Sequence, residues 1–231
     1  CNEIYSVSKG ENKFMVSGII FNNETDEPLP YASITVKDIL GKDDNYTIKT
    51  DSLGQYSIPL SPEMHLFLKA QKLEYYADAN VVSTIGLDKS QQFIIDFYLS
   101  LIPYTEIVID GIEYDYNKAS LRPKSKEILD KTVEFLELND NLVIEISSHT
   151  DEIGGDDYNM GLSQRRAESV VQYLIAKGIN KERLLPKGYG ESKLLIKNAK
   201  TDEDHQRNRR TSFRTLSEDF EPVTKIRKKK R

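Results

Sequence analysis

Alternating apolar and polar residues mark the first part of the chain. Between residues 14 and 100, short runs rich in β-branched and aromatic side chains are separated by turn-prone stretches, which is typical of short strands. In one run, Ile34 and Val36 alternate with Ser33 and Thr35, which predicts a strand with one buried face and one solvent-exposed face. The predicted strands are 15–21, 32–36, 46–50, 55–60, 66–70 and 93–99. Their spacing predicts a small all-β sandwich.

Helices alternating with strands replace this pattern further along the chain. Apolar residues at three- and four-residue steps predict helices, and alternation predicts the strands between and after them. Gly178 is placed to end the second helix. The predicted helices are 123–138, 163–177 and 202–209, and the predicted strands are 142–147, 183–188 and 211–216. This order predicts an α/β (α+β) sandwich with its helices on one face, so we expect two domains.

Composition and charge agree with two globular domains. The chain has 231 residues, of which 38% are hydrophobic and 30% charged. The best apolar run, residues 93–103, is too short to span a bilayer and is interrupted by Asp96. The net charge of −5 is uneven, because the last seven residues carry six positive charges. We expect a disordered basic tail at 220–231, with an anionic partner as the alternative and no nucleic-acid partner.

Cys1 is the single cysteine, so an intrachain disulfide is excluded. Two interpretations of Cys1 stay open. It is either the lipid-acylated first residue of a mature bacterial lipoprotein or an ordinary residue where a larger protein was cut. Residues 2–7 resemble the closing strand of a β-propeller blade. Segment 1–13 is therefore expected to be a lipoprotein start or the end of an upstream propeller.

Three stretches of the first domain carry a family resemblance: residues 16–18, 27–36 and 50–58. Through them, residues 14–100 resemble the carboxypeptidase-regulatory-like domain, a transthyretin/Ig-like β-sandwich. The resemblance implies a module without the protease's metal site. His65 is the sole histidine in this half, and no His-Glu cluster offers zinc ligands. We predict no metal and no cofactor.

Seven short motifs in the second domain carry a second resemblance. They lie at residues 112–123, 148–151, 158–167, 178–179, 183–184, 188–191 and 208–210. In this order and spacing they resemble the OmpA-like peptidoglycan-binding domain, also found in peptidoglycan-associated lipoproteins and flagellar stators. Ser148 and Tyr114 are mild departures from the family pattern. The family often has Gly-Arg where this chain has Asp204-His205, which puts the contribution of that segment in doubt.

Asp151 and Arg166 are the predicted ligand-binding pair. Asp151 follows a predicted strand, and Arg166 is expected in the first turn of the next helix. Such a pair can bind a zwitterion, because the acid pairs with an ammonium and the guanidinium with a carboxylate. The helix N-terminus would favour the same carboxylate. The alternative from spacing alone is a turn cap and a surface salt bridge. The family resemblance implies meso-diaminopimelate of the peptidoglycan stem, with Asp151 on its amine and Arg166 on its carboxylate.

Five further residues match family contacts: Asn117, Asn159, Arg209, Tyr116 and Leu162. The two asparagines are expected either to bind the ligand or to form turns. Arg209 is expected to approach the ligand's carboxylates, and Tyr116 and Leu162 to wall the pocket. His149 does not indicate catalysis, because neither a nucleophile nor a metal partner accompanies it. We therefore predict a binding protein and no enzyme.

The resulting hypothesis is non-covalent binding of peptidoglycan that anchors an outer-membrane lipoprotein or envelope complex. We expect residues 107–219 to form the OmpA-like domain, residues 101–106 to form a linker, and the protein to lie in the periplasm at the outer membrane. The domain pair resembles the C-terminal part of PorE-type lipoproteins of the type IX secretion system. Two alternatives stay open: a scaffold whose β-sandwich docks a protein partner, and a peptidoglycan-remodelling enzyme.

Overall fold

A computed structural model of the chain describes residues 12–42, 44–115 and 117–216. The chain divides between Ile102 and Pro103 into two compact units. The predictions for Cys1, Tyr116 and the basic tail fall outside the described residues. Within the described ranges, no helix has the length and apolar character to cross a membrane. The same ranges hold no group of three or more His, Cys, Asp or Glu side chains suited to a metal ion.

The first unit is a β-structure of two sheets. Its strands are β1 (Phe14–Asn22), β2 (Ser33–Asp38), β3 (Tyr46–Lys49), β4 (Gln55–Leu60), β5 (His65–Gln71), β6 (Asp78–Ser83), β7 (Gln91–Ile94) and β8 (Phe97–Leu99). One sheet has the order β4-β1-β7, with β8 also paired to β1, and the other has the order β3-β2-β5-β6. Strand β4 buries every second residue: Tyr56, Ile58 and Leu60. Buried side chains from both sheets form one core, so the sheets pack face to face.

The predicted strands of this unit are confirmed, with two differences. Strand β6 was not predicted, although it pairs along its length with β5. The predicted strand 93–99 is broken into β7 and β8, because the carboxylate of Asp96 turns back to accept a hydrogen bond from the backbone N–H of Ile19 (2.8 Å). Gly18 permits this break, since a Cβ there would lie 1.9 Å from the carbonyl oxygen of Ile95. The transthyretin/Ig-like identity stays a prediction.

The second unit is an α/β sandwich. Its elements are β9 (Ile107–Val108), α1 (Pro123–Leu138), β10 (Ile144–His149), α2 (Asp156–Ala176), β11 (Leu184–Gly190), α3 (Asp202–Asn208) and β12 (Thr211–Thr215). The sheet order is β11-β10-β12-β9, with β11 parallel and β12 antiparallel to β10. Phe213 of β12 packs against Phe135 of α1, and Gly188 of β11 touches α2. Both contacts lie on the face that also carries Ile146, so α1 and α2 cover the same side of the sheet, as predicted.

The start of α2 corrects the prediction. The helix begins at Asp156, seven residues before the predicted Ser163. Two acidic residues in its first turn, Asp156 and Asp157, suit the positive end of the helix dipole. Asn159 therefore lies inside the helix and not before it, and Arg166 is its eleventh residue. The prediction that Arg166 lies in the first turn, beside free backbone N–H groups, is wrong.

Candidate functional site

A pocket of about 440 Å³ opens in the second unit between the loop after β10, the first half of α2, the segment before α1 and the end of α3. Most of its lining comes from residues with polar or charged side chains. The lining residues are Ile112, Glu113, Tyr114, Asp115, Asn117, Arg122, Thr150, Asp151, Ile153, Tyr158, Asn159, Leu162, Arg166, Gln206 and Arg209. All predicted ligand residues that the structure describes are among them.

Asp151 lies in the loop that follows β10. The preceding residue, Thr150, extends the sheet pairing by donating its backbone N–H to the carbonyl of Gly190 (3.0 Å). One carboxylate oxygen of Asp151 accepts the backbone N–H of Ile153 (3.3 Å), as in an Asx turn. The other oxygen pairs with a guanidinium nitrogen of Arg209. The carboxylate is 9% exposed, so it is held in place by its neighbours before any ligand arrives.

Arg166 projects from α2 into the same pocket and is 7% exposed. Its Nε donates to the backbone carbonyl of Lys118 (3.1 Å), and its guanidinium lies 4.7 Å above the ring of Tyr114. Burial lowers the pKa of the Arg166 guanidinium, and so does the charge of Arg209, whereas the charge of Asp151 opposes the shift. Its two Nη atoms have no hydrogen-bond partner among the described residues. A buried cation with unused donors favours an anionic acceptor.

Arg209 is the C-cap residue that follows α3, and its position differs from the predicted role. Its Nε and Nη2 donate to the side-chain carbonyl of Gln206 (3.3 and 2.9 Å), while Nη1 pairs with Asp151. The guanidinium of Arg209 is thus paired with Asp151, the carboxylate that was predicted to bind the ligand's amine. An approach of Arg209 to a ligand's carboxylates stays a prediction, and it would require this pair to rearrange.

The other described candidates line the pocket in different ways. Asn159 is buried, and its amide nitrogen donates to the carbonyls of Asp151 (3.4 Å) and Ile153 (3.3 Å) and to a carboxylate oxygen of Glu191 (2.6 Å). It therefore fixes the loop that carries Asp151. Asn117 is exposed and has a φ of +60°, a turn conformation that asparagine tolerates. Leu162 is buried in the pocket wall. Contact of these residues with a ligand stays a prediction.

Comparison with known proteins bears on this half of the chain. Residues 113–209 match the model of the OmpA family. Residues 113–209 form an OmpA family domain. The chain is 31% identical over 169 residues to outer membrane protein A of Shigella flexneri, which covers 65% of this chain and 48% of that protein. It is 39% identical over 100 residues to outer membrane protein A of Bordetella avium, covering 43% of this chain and 51% of that protein.

The chain thus spans about half the length of these curated relatives. Among solved structures, the peptidoglycan-associated lipoprotein from Burkholderia pseudomallei is 22% identical and has a TM-score of 0.42. That similarity covers 48% of this chain and 89% of the other.

Three residues of the OmpA family domain lie beside the predicted pair although the sequence did not assign them to the site, and two of them, Tyr114 and Gln206, line the pocket. Tyr114 lies under the guanidinium of Arg166, and Gln206 orients Arg209. His205 lies with its Nδ1 atom 3.6 Å from Asp151. One signal was present in the sequence: His205 and Arg209 are four residues apart in a predicted helix, so they share a face. Which residues this face of the helix contacts depends on tertiary packing.

His149 belongs to a separate polar cluster of the OmpA family domain. Its Nε2 lies 2.8 Å from Glu106, which also accepts the hydroxyl of Ser212, and its ring stacks on Tyr189 at 5.3 Å. The hydrogen bond from His149 is the largest of the contacts that hold the pKa of Glu106 at about 2. Burial lowers the pKa of His149 and so favours its neutral form. These contacts explain His149 as part of the domain's internal packing.

Proposed function

We propose that the chain binds peptidoglycan non-covalently through the pocket of its OmpA family domain and so anchors an envelope protein to the cell wall. The observation that carries the proposal is the opposite charge of two buried side chains in one pocket, Asp151 and Arg166. The unused Nη donors of Arg166 provide a site for a carboxylate, and the carboxylate of Asp151 provides one for an ammonium. A zwitterionic ligand satisfies both.

The proposed ligand is the diaminopimelate side chain of the peptidoglycan stem. Its terminus carries an ammonium and a carboxylate on one carbon, and these would pair with Asp151 and Arg166. A stem peptide with lysine at this position has the amine but lacks this carboxylate. It would cover Arg166 and leave the guanidinium unpaired. Leaving a buried charge unpaired is costly, which would make the pocket selective for diaminopimelate. Leu162 and Tyr116 would wall the pocket, and Asn117 would contribute from its rim.

Asp151 can receive the amine in one of two ways. A carboxylate has about four acceptor positions, so the ligand's ammonium could share it with Arg209. Alternatively, Arg209 could turn away from Asp151 toward the ligand's carboxylates. Both ways keep the ammonium on Asp151, and both keep Arg166 on the carboxylate.

The proposed location is the periplasm at the outer membrane, and the similarity to relatives named outer membrane protein A supports this proposal. Attachment to the outer membrane would come from a lipid anchor or from partner proteins, and residues 14–100 would act as spacer or docking surface. A place in the type IX secretion system is the narrower form of this proposal, and it rests on the resemblance of the domain pair.

A calorimetric titration tests the proposal. The full chain is titrated with free meso-diaminopimelate, with a diaminopimelate-containing stem peptide and with a lysine-containing stem. We expect saturable binding of the first two and none of the third. Asp151→Ala and Arg166→Ala should each weaken binding by about 2–5 kcal/mol, on the order of 30-fold or more in Kd, because each leaves one charge unpaired.

Two surface variants serve as controls. Arg165→Ala removes the exposed arginine next to Arg166 in α2, and Asp130→Ala removes a half-exposed aspartate that pairs with Lys177. Both should bind as the wild type does. Binding that is indifferent to Asp151→Ala and Arg166→Ala would overturn the proposal. Loss of turbidity from purified sacculi would instead indicate the remodelling enzyme.

A further inference from the structure

His205 of α3 and Arg209, the residue after this helix, present two basic side chains to Asp151. Thr201 and Asp204 form a capping box that sets the first residue of this helix. Arg209 is four positions after His205, so both side chains point to one side of the helix axis. Arg209 pairs with the carboxylate of Asp151, and Nδ1 of His205 lies 3.6 Å from the same oxygen. The proposed amine site therefore has a titratable neighbour.

The contact between His205 and Asp151 is close in space but is not a hydrogen bond. A separation of 3.6 Å exceeds the usual range for a hydrogen bond and lies within that of an ion pair. The His205 side chain is 15% exposed, and its Nδ1 has no hydrogen-bond partner among the described residues. The charged group beside His205 is Asp151 on the loop after β10, and Asp151 in turn pairs with Arg209, the residue after α3. The charges of both Asp151 and Arg209 act on Arg166 of α2.

We propose that His205 sets the pH dependence of amine binding at Asp151, an inference that rests on the proposed function. A protonated imidazole adds a second cation to the carboxylate that already faces Arg209. The ligand's ammonium must then compete with both for Asp151. With His205 neutral, the carboxylate faces one protein cation and accepts the ammonium more readily.

The sign of the effect follows from this competition. Histidine changes its charge between about pH 5 and pH 8, whereas the ammonium and carboxylates of diaminopimelate keep theirs over that range. Affinity should therefore fall as the pH is lowered from 8 to 5.5. We expect a weakening of roughly fivefold, the lower end of the coupling usually found between two ligands of one protein. The effect should be local to the pocket, because the protonated side chain of His205 would lie beside the carboxylate of Asp151.

Calorimetric titration of the full chain with meso-diaminopimelate at pH 8 and pH 5.5, at constant ionic strength, tests the proposal. His205→Gln imitates the neutral imidazole, so its affinity should match the wild type at pH 8 and remain there at pH 5.5. His205→Arg carries its charge at both pH values, so it should bind weakly and equally at both. His65→Gln, a histidine substitution in the first unit, should keep the wild-type profile.

The outcomes separate the two proposals. A wild-type affinity that does not change with pH overturns the role of His205 and leaves the binding site intact. So does a His205→Gln variant whose affinity changes with pH as much as that of the wild type. A slope that survives in His205→Gln would belong to another group, such as His149. If His205→Gln does not bind, His205→Arg decides, because a pH-independent weak affinity supports the proposal and a retained slope overturns it. Failure of the wild type to bind at either pH, or binding unchanged by Arg166→Ala, overturns the proposed function itself.

Discussion

At the scale of single residues, the second unit uses charged side chains of low exposure in two ways. Glu106 is surrounded by donors: the ring of His149, the hydroxyl of Ser212 and, at 3.6 Å, the guanidinium of Arg210. Arg166 is buried, but its Nη atoms have no hydrogen-bond partner among the described residues. A satisfied charge holds a fold together, whereas an unsatisfied one is suited to a ligand. This contrast separates a structural cluster from the candidate site.

The cluster around Glu106 gives a prediction about stability. Glu106→Gln should lower the free energy of unfolding at pH 7 by about 1–2 kcal/mol, since it weakens hydrogen bonds to a charged acceptor. The pKa of Glu106 is lowered to about 2 from its ordinary value of 4.5. A carboxylate with a lowered pKa stabilises the fold above pH 4.5 and loses that effect as the pH falls toward 2. Urea unfolding at pH 7, 4.5 and 3 should therefore show the difference from wild type shrinking.

A surface glutamate supplies the comparison for this prediction. Glu113 pairs with Arg122 at 3.0 Å, and both side chains are about half exposed. Glu113→Gln should change the free energy of unfolding by less than about 1 kcal/mol, as is usual for an exposed ion pair. A difference between Glu106→Gln and wild type that stayed constant down to pH 3 would contradict the role given to the Glu106 carboxylate.

The scale of secondary-structure elements shows how far the sequence could predict this molecule. Strands with strict alternation, such as β2 and β4, were predicted close to their observed bounds, because one buried face imposes a period of two. Strand β6 has a burial pattern without that alternation and was missed. The first turns of α2 contain Asn159 and Gly161, which are poor helix formers, and contacts elsewhere in the fold outweigh this preference.

The candidate site was predictable to a similar extent. The positions of Asp151 and Arg166 on neighbouring elements followed from motif order. The pairing of Asp151 with Arg209 did not, because these residues are 58 apart and meet only when α3 packs beside the loop after β10. The sequence motif therefore indicated the residues of the pocket but not the contacts among them.

The packing of α2 on β11 gives a prediction at this scale. A Cβ at Gly188 would lie 2.3 Å from the backbone nitrogen of Gln164 and 2.7 Å from the hydroxyl of Ser163. Gly188→Ala must therefore push α2 away from the sheet, and it should destabilise the fold by about 1–3 kcal/mol or more. Because α2 carries Arg166, the affinity for meso-diaminopimelate should fall as well. Thermal unfolding and calorimetry measure the two effects.

Gly161→Ala is the matched control on the same helix. A Cβ at Gly161 would meet only the end of the Arg165 side chain, at 3.3 Å, and that side chain is exposed and able to move. Replacing a helical glycine by alanine should stabilise the fold by up to about 1 kcal/mol. Equal melting temperatures for the two variants would show that Gly188 is not a close-packing position.

At the scale of the whole molecule, each unit has its own core, and the candidate pocket lies in the second unit. The first has its own hydrophobic core, which includes Ile34, Leu68 and Phe97, and the second buries a separate set, which includes Leu129, Ile146 and Leu174. Every residue that lines the candidate pocket lies between Ile112 and Arg209, inside the second unit. A unit with its own core is expected to fold alone.

The last prediction follows from this division. Residues 103–231, produced alone, should bind meso-diaminopimelate within about twofold of the full chain, because the fragment retains the whole lining of the pocket. Residues 1–102 should show no binding in the same calorimetric titration. A fragment 103–231 that is folded by circular dichroism but binds more than about tenfold more weakly, a loss of about 1.4 kcal/mol, would show that the first unit contributes to the site. Equal affinity would instead leave the β-sandwich free to contact a protein partner while its neighbour holds the cell wall.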